Sequence, residues 1–245
     1  MAWRSKAAEA LQEALSVEST REWTPLQSSG EVRLFTSPVS GPLPFFRGCL
    51  ERSAATVELA DLVRVLVSDS CRRFWDPSYA FSQLLGHQDT MALLCTRQKA
   101  SPVASESVWV NACTSNMSAE RFTYAATSIE DADVGQSMPA AHAGLTRLAT
   151  RLWAIDVRKK EDHWELSFVL HTAATSFRLP NFMLKPLLAS WISSCLVSIW
   201  RMASAQVAPK GPVCLIAARE SEPKAEGTPV DVAGRMLSFA GPRIW

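Results

Sequence analysis

Four histidines, six cysteines and a short acidic run are the side chains in this 245-residue chain whose types could ligate a metal or move protons. His163 and His171 share one face of a strand, but eight residues of strand span ~27 Å, too far for one site. His87 and His142 stand alone. Cys49, Cys71, Cys95, Cys113, Cys195 and Cys214 are scattered, with no C-x-x-C and no close histidine, so the local ligand pairs that zinc needs are missing. Glu130, Asp131 and Asp133 read as a solvated turn. The chain holds no G-x-S-x-G, H-E-x-x-H, glycine-rich phosphate loop or paired-carboxylate signature. The expectation is therefore no catalytic residue, no metal and no cofactor. An enzyme stays open only in the form that leaves no motif, catalysis by positioning.

Composition points instead to containment of something apolar. Residues are 47% hydrophobic and 20% charged, the balance of a folded domain. Twenty-five Lys+Arg against 24 Asp+Glu leave +1, so no bulk field exists for nucleic acid. Nine tryptophans stand against two tyrosines. Indoles suit cavities and interfaces where one edge meets apolar matter and the N–H finds a partner. The N-terminal MAWRSKAAEALQEAL reads as a polar helix rather than a signal peptide, so a cytoplasmic protein with reduced, buried thiols is expected. The uncharged run 186–200 falls short of the ~20 residues that span a bilayer and is flanked by Lys185 and Arg201.

The elements follow from hydrophobic period. Trp3, Ala7, Leu11 and Leu15 make a narrow stripe on a first helix, 3–18. Proline and glycine then punctuate 22–48, leaving strands near 31–36 and 45–51. Thr56 reads as the cap of a helix over 57–73, with Leu59, Leu62, Val63, Leu66 and Val67 on one face and Arg72 and Arg73 at its end. From there to 172 the period is two. Pairing 112 with 122, 110 with 124 and 108 with 126 predicts Val108, Val110, Ala112, Phe122, Tyr124 and Ala126 on one face. Pairing 157 with 164, 155 with 166 and 153 with 168 gathers Trp153, Ile155, Val157, Trp164, Leu166 and Phe168. The opposite face, with Asp156, His163, Glu165, Ser167 and His171, is expected to be wetter. Pro180 opens a helix over 181–205 that is apolar nearly all round and must therefore be covered or cover something apolar. Residues 1–206 form one domain on this reading, and 207–245 a partly flexible extension.

This order, and several local stretches, resemble the START family of steroidogenic-acute-regulatory-related lipid-transfer domains. Arg72-Arg73-Phe74-Trp75-Asp76 looks like the family's basic–x–W-D at the exit of the middle helix. Residues 105–113 and 122–128 stand where the family has its R-D-F-V strand and the strand after it. Met138-Pro139 with Leu145-Thr146-Arg147 is similar to its M-P and V-x-R segment, and Leu179-Pro180 followed by 182–187 to the approach to its last helix. The resemblance covers about 1–205 and extends to divergent fungal START-like proteins. The chain departs from the family at ATSFR, which lacks the D-x-x-G before Leu179-Pro180. It departs again at SESVWV in the R-D-F-V strand, and at Asn111 where some sterol binders carry a tunnel arginine.

The resemblance implies an α+β helix-grip fold, a curved antiparallel sheet wrapped around a long C-terminal helix. It also implies a tunnel between sheet and helix that binds one lipid, sterol or polyketide-like molecule, with the last helix as gate. The lining expected is Val110, Asn111, Tyr124, Trp153, Trp164 and Phe168 from the sheet. Met183, Leu187, Leu188 and Trp191 come from the helix, and Arg147 makes the polar contact. Transfer between membranes by a monomer that touches the membrane surface transiently would follow. Periodicity alone allows a plainer reading, in which these side chains fill a solid core. Arg147 equally suits a surface pair with Asp156 or Glu165, and Tyr124 a self-satisfied rim position. A cyclase or isomerase in the same pocket, and an adaptor whose long helix docks a partner, are the alternatives.

Overall fold

The period-two stretch forms strands because alternate β-branched and aromatic residues can be buried on both faces once helices cover the sheet. A computed structural model of the chain describes residues 2–26, 30–39, 43–100, 105–134, 145–173 and 180–205. Helix α1 (Ala2–Thr20) leads into strands β1 (Thr24–Pro25), β2 (Arg33–Ser37) and β3 (Phe45–Ser53). Helices α2 (Leu59–Val67) and α3 (Asp69–Trp75) follow. Then come β4 (Tyr79–Gln88), β5 (Met91–Gln98), β6 (Ser107–Met117) and β7 (Arg121–Ser128). A short α4 (Asp131–Val134), then β8 (Thr146–Arg147), β9 (Thr150–Lys160), β10 (His163–Thr172) and α5 (Asn181–Ser204) complete the order. The strands make one 10-stranded sheet in the order β1-β2-β3-β10-β9-β7-β6-β5-β4, with β8 parallel to β6 and the other neighbours antiparallel. This is the expected α+β helix-grip fold.

One face of the sheet, here the inner face, packs against α2, α3 and α5. The outer face lies under α1. The β9–β10 hairpin keeps its expected inner set, although Val157 pairs with Leu166 rather than Trp164. The strands run on to Lys160 and His163, leaving only Glu161 and Asp162 as the loop. That slip of two residues leaves every side chain on its face. The β6–β7 hairpin differs by five residues, since Ser115, not Val110, stands opposite Tyr124. An odd slip reverses the strand, so Val108, Val110 and Ala112 are buried on the outer face beside Trp3 and Ala7. Trp109 and Cys113 take the inner face. The reason is that β6 continues through the polar residues 114–117, where the sequence suggested a loop.

Three further boundaries are corrected. Helix α1 buries Trp3, Ala7, Ala10, Ala14 and Val17, while Leu11 and Leu15 are only half-buried. Alanines let the helix axis come close to the sheet. The single helix expected over 57–73 is two, because Ser68 adopts an extended conformation (φ −78°, ψ 120°) that ends α2 and caps α3 by accepting a hydrogen bond from Cys71 N at 3.4 Å. The cap of α2 is Glu58, whose backbone N–H donates to Asp61 Oδ2 at 3.3 Å, rather than Thr56. Helix α5 crosses β3 at Gly48, where an added Cβ would lie 2.5 Å from Ile192 Cγ2. Only a residue without a side chain allows that approach. The Met138-Pro139 and Leu179 stretches and the extension 207–245 lie outside the described residues.

Candidate functional site

The inner face is dominated by rings. Trp153 on β9 lies 4.9 Å from Phe168, 5.7 Å edge-on from Tyr124, and 6.3 Å from both Trp75 and Trp109, measured between centroids. Phe168 in turn meets Trp191 of α5 at 5.2 Å. Into this cluster α3 projects Arg72. Its guanidinium carbon sits 4.5 Å from the Tyr79 ring, 5.1 Å from Trp153 and 5.7 Å from Trp75. Helical spacing explains the placement. Arg72 and Asp76 are four apart and pair at 3.5 Å, while Trp75 anchors α3 to α2 by donating Nε1–H to Val65 O at 3.0 Å. Asp76 is itself buried and accepts from Ser78 Oγ at 2.6 Å and Ser78 N at 3.1 Å.

Arg72 borders a cavity of about 80 Å³ between α3, the α2–α3 joint and the strands β4 to β7 and β9. Cys113, Tyr124, Trp153 and Ile155 form its floor, Arg72, Tyr79 and Ser82 its polar wall. Residues 66–69 and Leu84, Ala92 and Leu94 form its rim. The only two tyrosines in the chain, Tyr79 and Tyr124, both face it. The Arg72 atom nearest the Asp76 carboxylate is Nε, 3.5 Å from Oδ2 and with no closer partner, so the ion pair is loose and its guanidinium lies beside the space. Burial works against its charge. The Asp76 carboxylate, helped by Tyr124 and Tyr79, more than offsets that and holds the guanidinium above its ordinary value. Burial also pushes both phenols up, and the Cys113 thiol up to about 11, so these three groups are neutral near pH 7. The cavity thus offers one fixed cation, flat apolar walls and, at its rim, the Asp69 carboxylate that accepts the Tyr79 hydroxyl.

Of the side chains expected to line a tunnel, Tyr124 and Trp153 line this cavity. Asn111 is buried just behind it. Its Nδ2 donates to Trp109 O at 3.1 Å and to Thr96 Oγ1 at 3.2 Å, and Thr96 shares a 2.9 Å hydrogen bond with Ser82 on the polar wall. Trp164, Phe168 and Leu188 are in the inner core, away from the cavity, with Trp164 Nε1 bonded to Val57 O at 2.7 Å. Trp191 packs on Phe168 from α5. Val110 lies on the other side of the sheet for the register reason above. Met183 and Leu187 are 42% and 40% exposed and point away from the core, because α5 seats its Leu184–Leu188–Ile192 side instead. No residue of α5 borders the cavity among the described residues.

Arg147, expected as the polar contact, does not border this cavity. It extends from β8, donates to Ile129 O at 2.5 Å and lies by Cys95 on the outer face, and Asp156 and Glu165 are held by other cations. Sequence reasoning passed over Arg72, Tyr79 and Ser82. The signal for the first was present, since Arg72-Arg73-Phe74-Trp75-Asp76 puts a cation, an indole and a carboxylate within one helical turn or so. Among the described residues no cluster of His, Cys, Asp or Glu could hold a metal, and Asp133 of the acidic run pairs with Lys6 at 2.8 Å.

Neither a protein-family description nor a curated protein matches this chain in sequence. Solved structures do match in fold. Human StAR-related lipid transfer protein 5 superposes with a TM-score of 0.67 over 83% of this chain and 99% of its own, at 15% identity. Human STARD10 gives 0.64 over 80% and 79%, at 13% identity. A STAR-related lipid transfer protein from Xanthomonas axonopodis gives 0.56 over 72% and 96%, at 18% identity. The chain therefore has the helix-grip fold of the StAR-related lipid-transfer domains, in a sequence far diverged from all three.

Proposed function

We propose that the protein binds a single hydrophobic ligand with a polar end, holding that end on Arg72 and its apolar body against Trp153, Tyr124 and Ile155. The observation that carries this reading is a guanidinium, paired loosely with a single buried carboxylate, at the edge of an aromatic-walled cavity. The fold shared with lipid-transfer proteins supports it. A cavity of about 80 Å³ is far smaller than the ~300–1,000 Å³ of a drug-sized site, so binding requires the walls to separate. Each buried CH₂ would then contribute ~0.8 kcal/mol, enough for a chain of ordinary length to bind with one polar anchor. Transfer between membranes, by a monomer touching the surface with the exposed Phe182, Met183 and Leu187 of α5, belongs to the same proposal. Mass spectrometry of an organic extract of the purified protein tests it. The expected result is a stoichiometric amphiphile, lost in Arg72→Met. An extract with no bound molecule, together with no response of tryptophan fluorescence to single-chain amphiphiles, would sink the reading.

A further inference from the structure

The ligand space meets solvent at a different place from the long helix that the fold would nominate as its gate. Four consecutive residues of the α2–α3 joint, Leu66, Val67, Ser68 and Asp69, form one side of the cavity mouth, and Leu84, Ala92 and Leu94 of β4 and β5 form the other. The joint is a single extended residue, Ser68, between two helices. On its far side α3 is tied to the sheet by a hydrogen bond from the Tyr79 hydroxyl to the Asp69 carboxylate. By contrast α5 is wedged on β3, with Ile192 and Leu196 against Gly48, and its inner residues Ile192, Cys195, Leu196 and Ile199 are wholly buried. Moving α5 would expose that entire row. Moving the joint would break the Tyr79–Asp69 hydrogen bond, strain the Trp75–Val65 one across the hinge, and uncover the half-buried Leu66 and Val67. Local opening follows the smaller loss of contacts.

We infer that the cavity opens at the α2–α3 joint, with Ser68 as the hinge and the Tyr79–Asp69 hydrogen bond as the latch, while α5 stays seated. The inference rests on the cavity being the ligand site, but its test needs no ligand. Cys113 lies on the cavity floor, whereas Leu196 and Ile199 are wholly buried on the inner side of α5. Alkylation of Cys113 by N-ethylmaleimide, followed by peptide mass spectrometry, therefore reads the joint, and amide exchange at Leu196 and Ile199 reads α5. Tyr79→Phe keeps the ring beside Arg72 and removes the latch. It is expected to speed Cys113 labelling about tenfold, the loss of one hydrogen bond to a charged group, and to leave amide exchange at Leu196 and Ile199 unchanged. Unchanged labelling of Cys113, or an equal rise in exchange at Leu196 and Ile199, would overturn the joint as the gate. Wild-type protein supplies a second measurement that needs no variant. The Cys71 and Arg72 amides should exchange with deuterium through an opening that leaves the amides of Leu196 and Ile199 protected, and equal protection refutes the inference. Failure of the amphiphile experiment above would strike the ligand, not the hinge.

Discussion

The two faces of one sheet bury charge in opposite ways. On the outer face, under the C-terminal turns of α1, Glu165 is saturated. Lys160 Nζ lies 2.6 Å from Oε2, Arg158 Nε lies 2.7 Å from Oε1, and Glu18 bridges Arg158 to Arg47, whose Nε donates to Ser167 Oγ at 3.0 Å. Asp156 beside it takes Arg121 Nε at 2.8 Å and Thr123 Oγ1 at 2.6 Å. On the inner face Arg72 has one carboxylate, 3.5 Å from its Nε, and three rings, and it stands beside a cavity. A network of several cations and carboxylates, although it leaves Asp156 Oδ2 without a partner, fixes an element in place, whereas a buried ion with one loose partner beside a cavity has capacity for a ligand. The side expected to be wet is thus a covered ion layer, and the dry side holds the reactive vacancy.

The largest test of this contrast is on the outer face. Glu165→Gln leaves Arg158 and Lys160 facing a neutral group, and a loss of about 2–4 kcal/mol in chemical denaturation is expected, with ligand binding intact. Equal loss of binding would erase the distinction between the faces. Gly48→Val forces a side chain into Ile192 and should cost about 1–3 kcal/mol by the same measurement, because α5 cannot retreat from β3. Arg72→Met combined with Asp76→Asn should do the reverse of Glu165→Gln, weakening an anionic amphiphile at least tenfold in fluorescence titration while the thermal midpoint nearly holds, since neutralising both partners leaves no buried charge unpaired, whereas Arg72→Met alone also loses stability through Asp76.

Acidification separates the faces as well. Burial opposes ionisation of Glu165, but Lys160 and Arg158 outweigh it and bring its carboxyl down to about 2, against ~4.3 in an unfolded chain. Its contribution is therefore complete above the unfolded value and is lost as the pH falls from there towards 2, because the unfolded chain takes up the proton first. Thermal midpoints of wild type should drop over that range more steeply than those of Glu165→Gln, and parallel curves would remove Glu165 from the account. The smallest effect is expected from Leu187→Glu, which faces solvent. Fold and ligand binding should both survive it, and only vesicle association should weaken.

Fold class and the inner set of the β9–β10 hairpin were legible in the residues, since alternation of Trp153, Ile155 and Val157 against Trp164, Leu166 and Phe168 tolerates any even slip. The β6–β7 pairing was not, because the polar residues 114–117 resemble a loop and one odd step reverses the strand. The seat of α5 was equally hidden. A helix apolar all round has no preferred side in sequence, so Met183 and Leu187 looked as internal as Leu188. Of the site, Tyr124 and Trp153 were found from strand alternation. Arg72 was visible only as part of a motif, without a sign that it turned inward.

What the sequence by itself determined was the order of elements, the sheet they build and the abundance of indole available to line something. Those depend on local period and composition, which short-range sterics and burial impose residue by residue. The tertiary structure alone decided which face each β6 residue takes, which side of α5 is seated, and that the space lies at the α2–α3 joint beside Arg72. These depend on strand register and on contacts between residues distant in the chain, such as Tyr79 with Asp69 and Arg72 with Trp153. No local pattern encodes which of several apolar surfaces will meet.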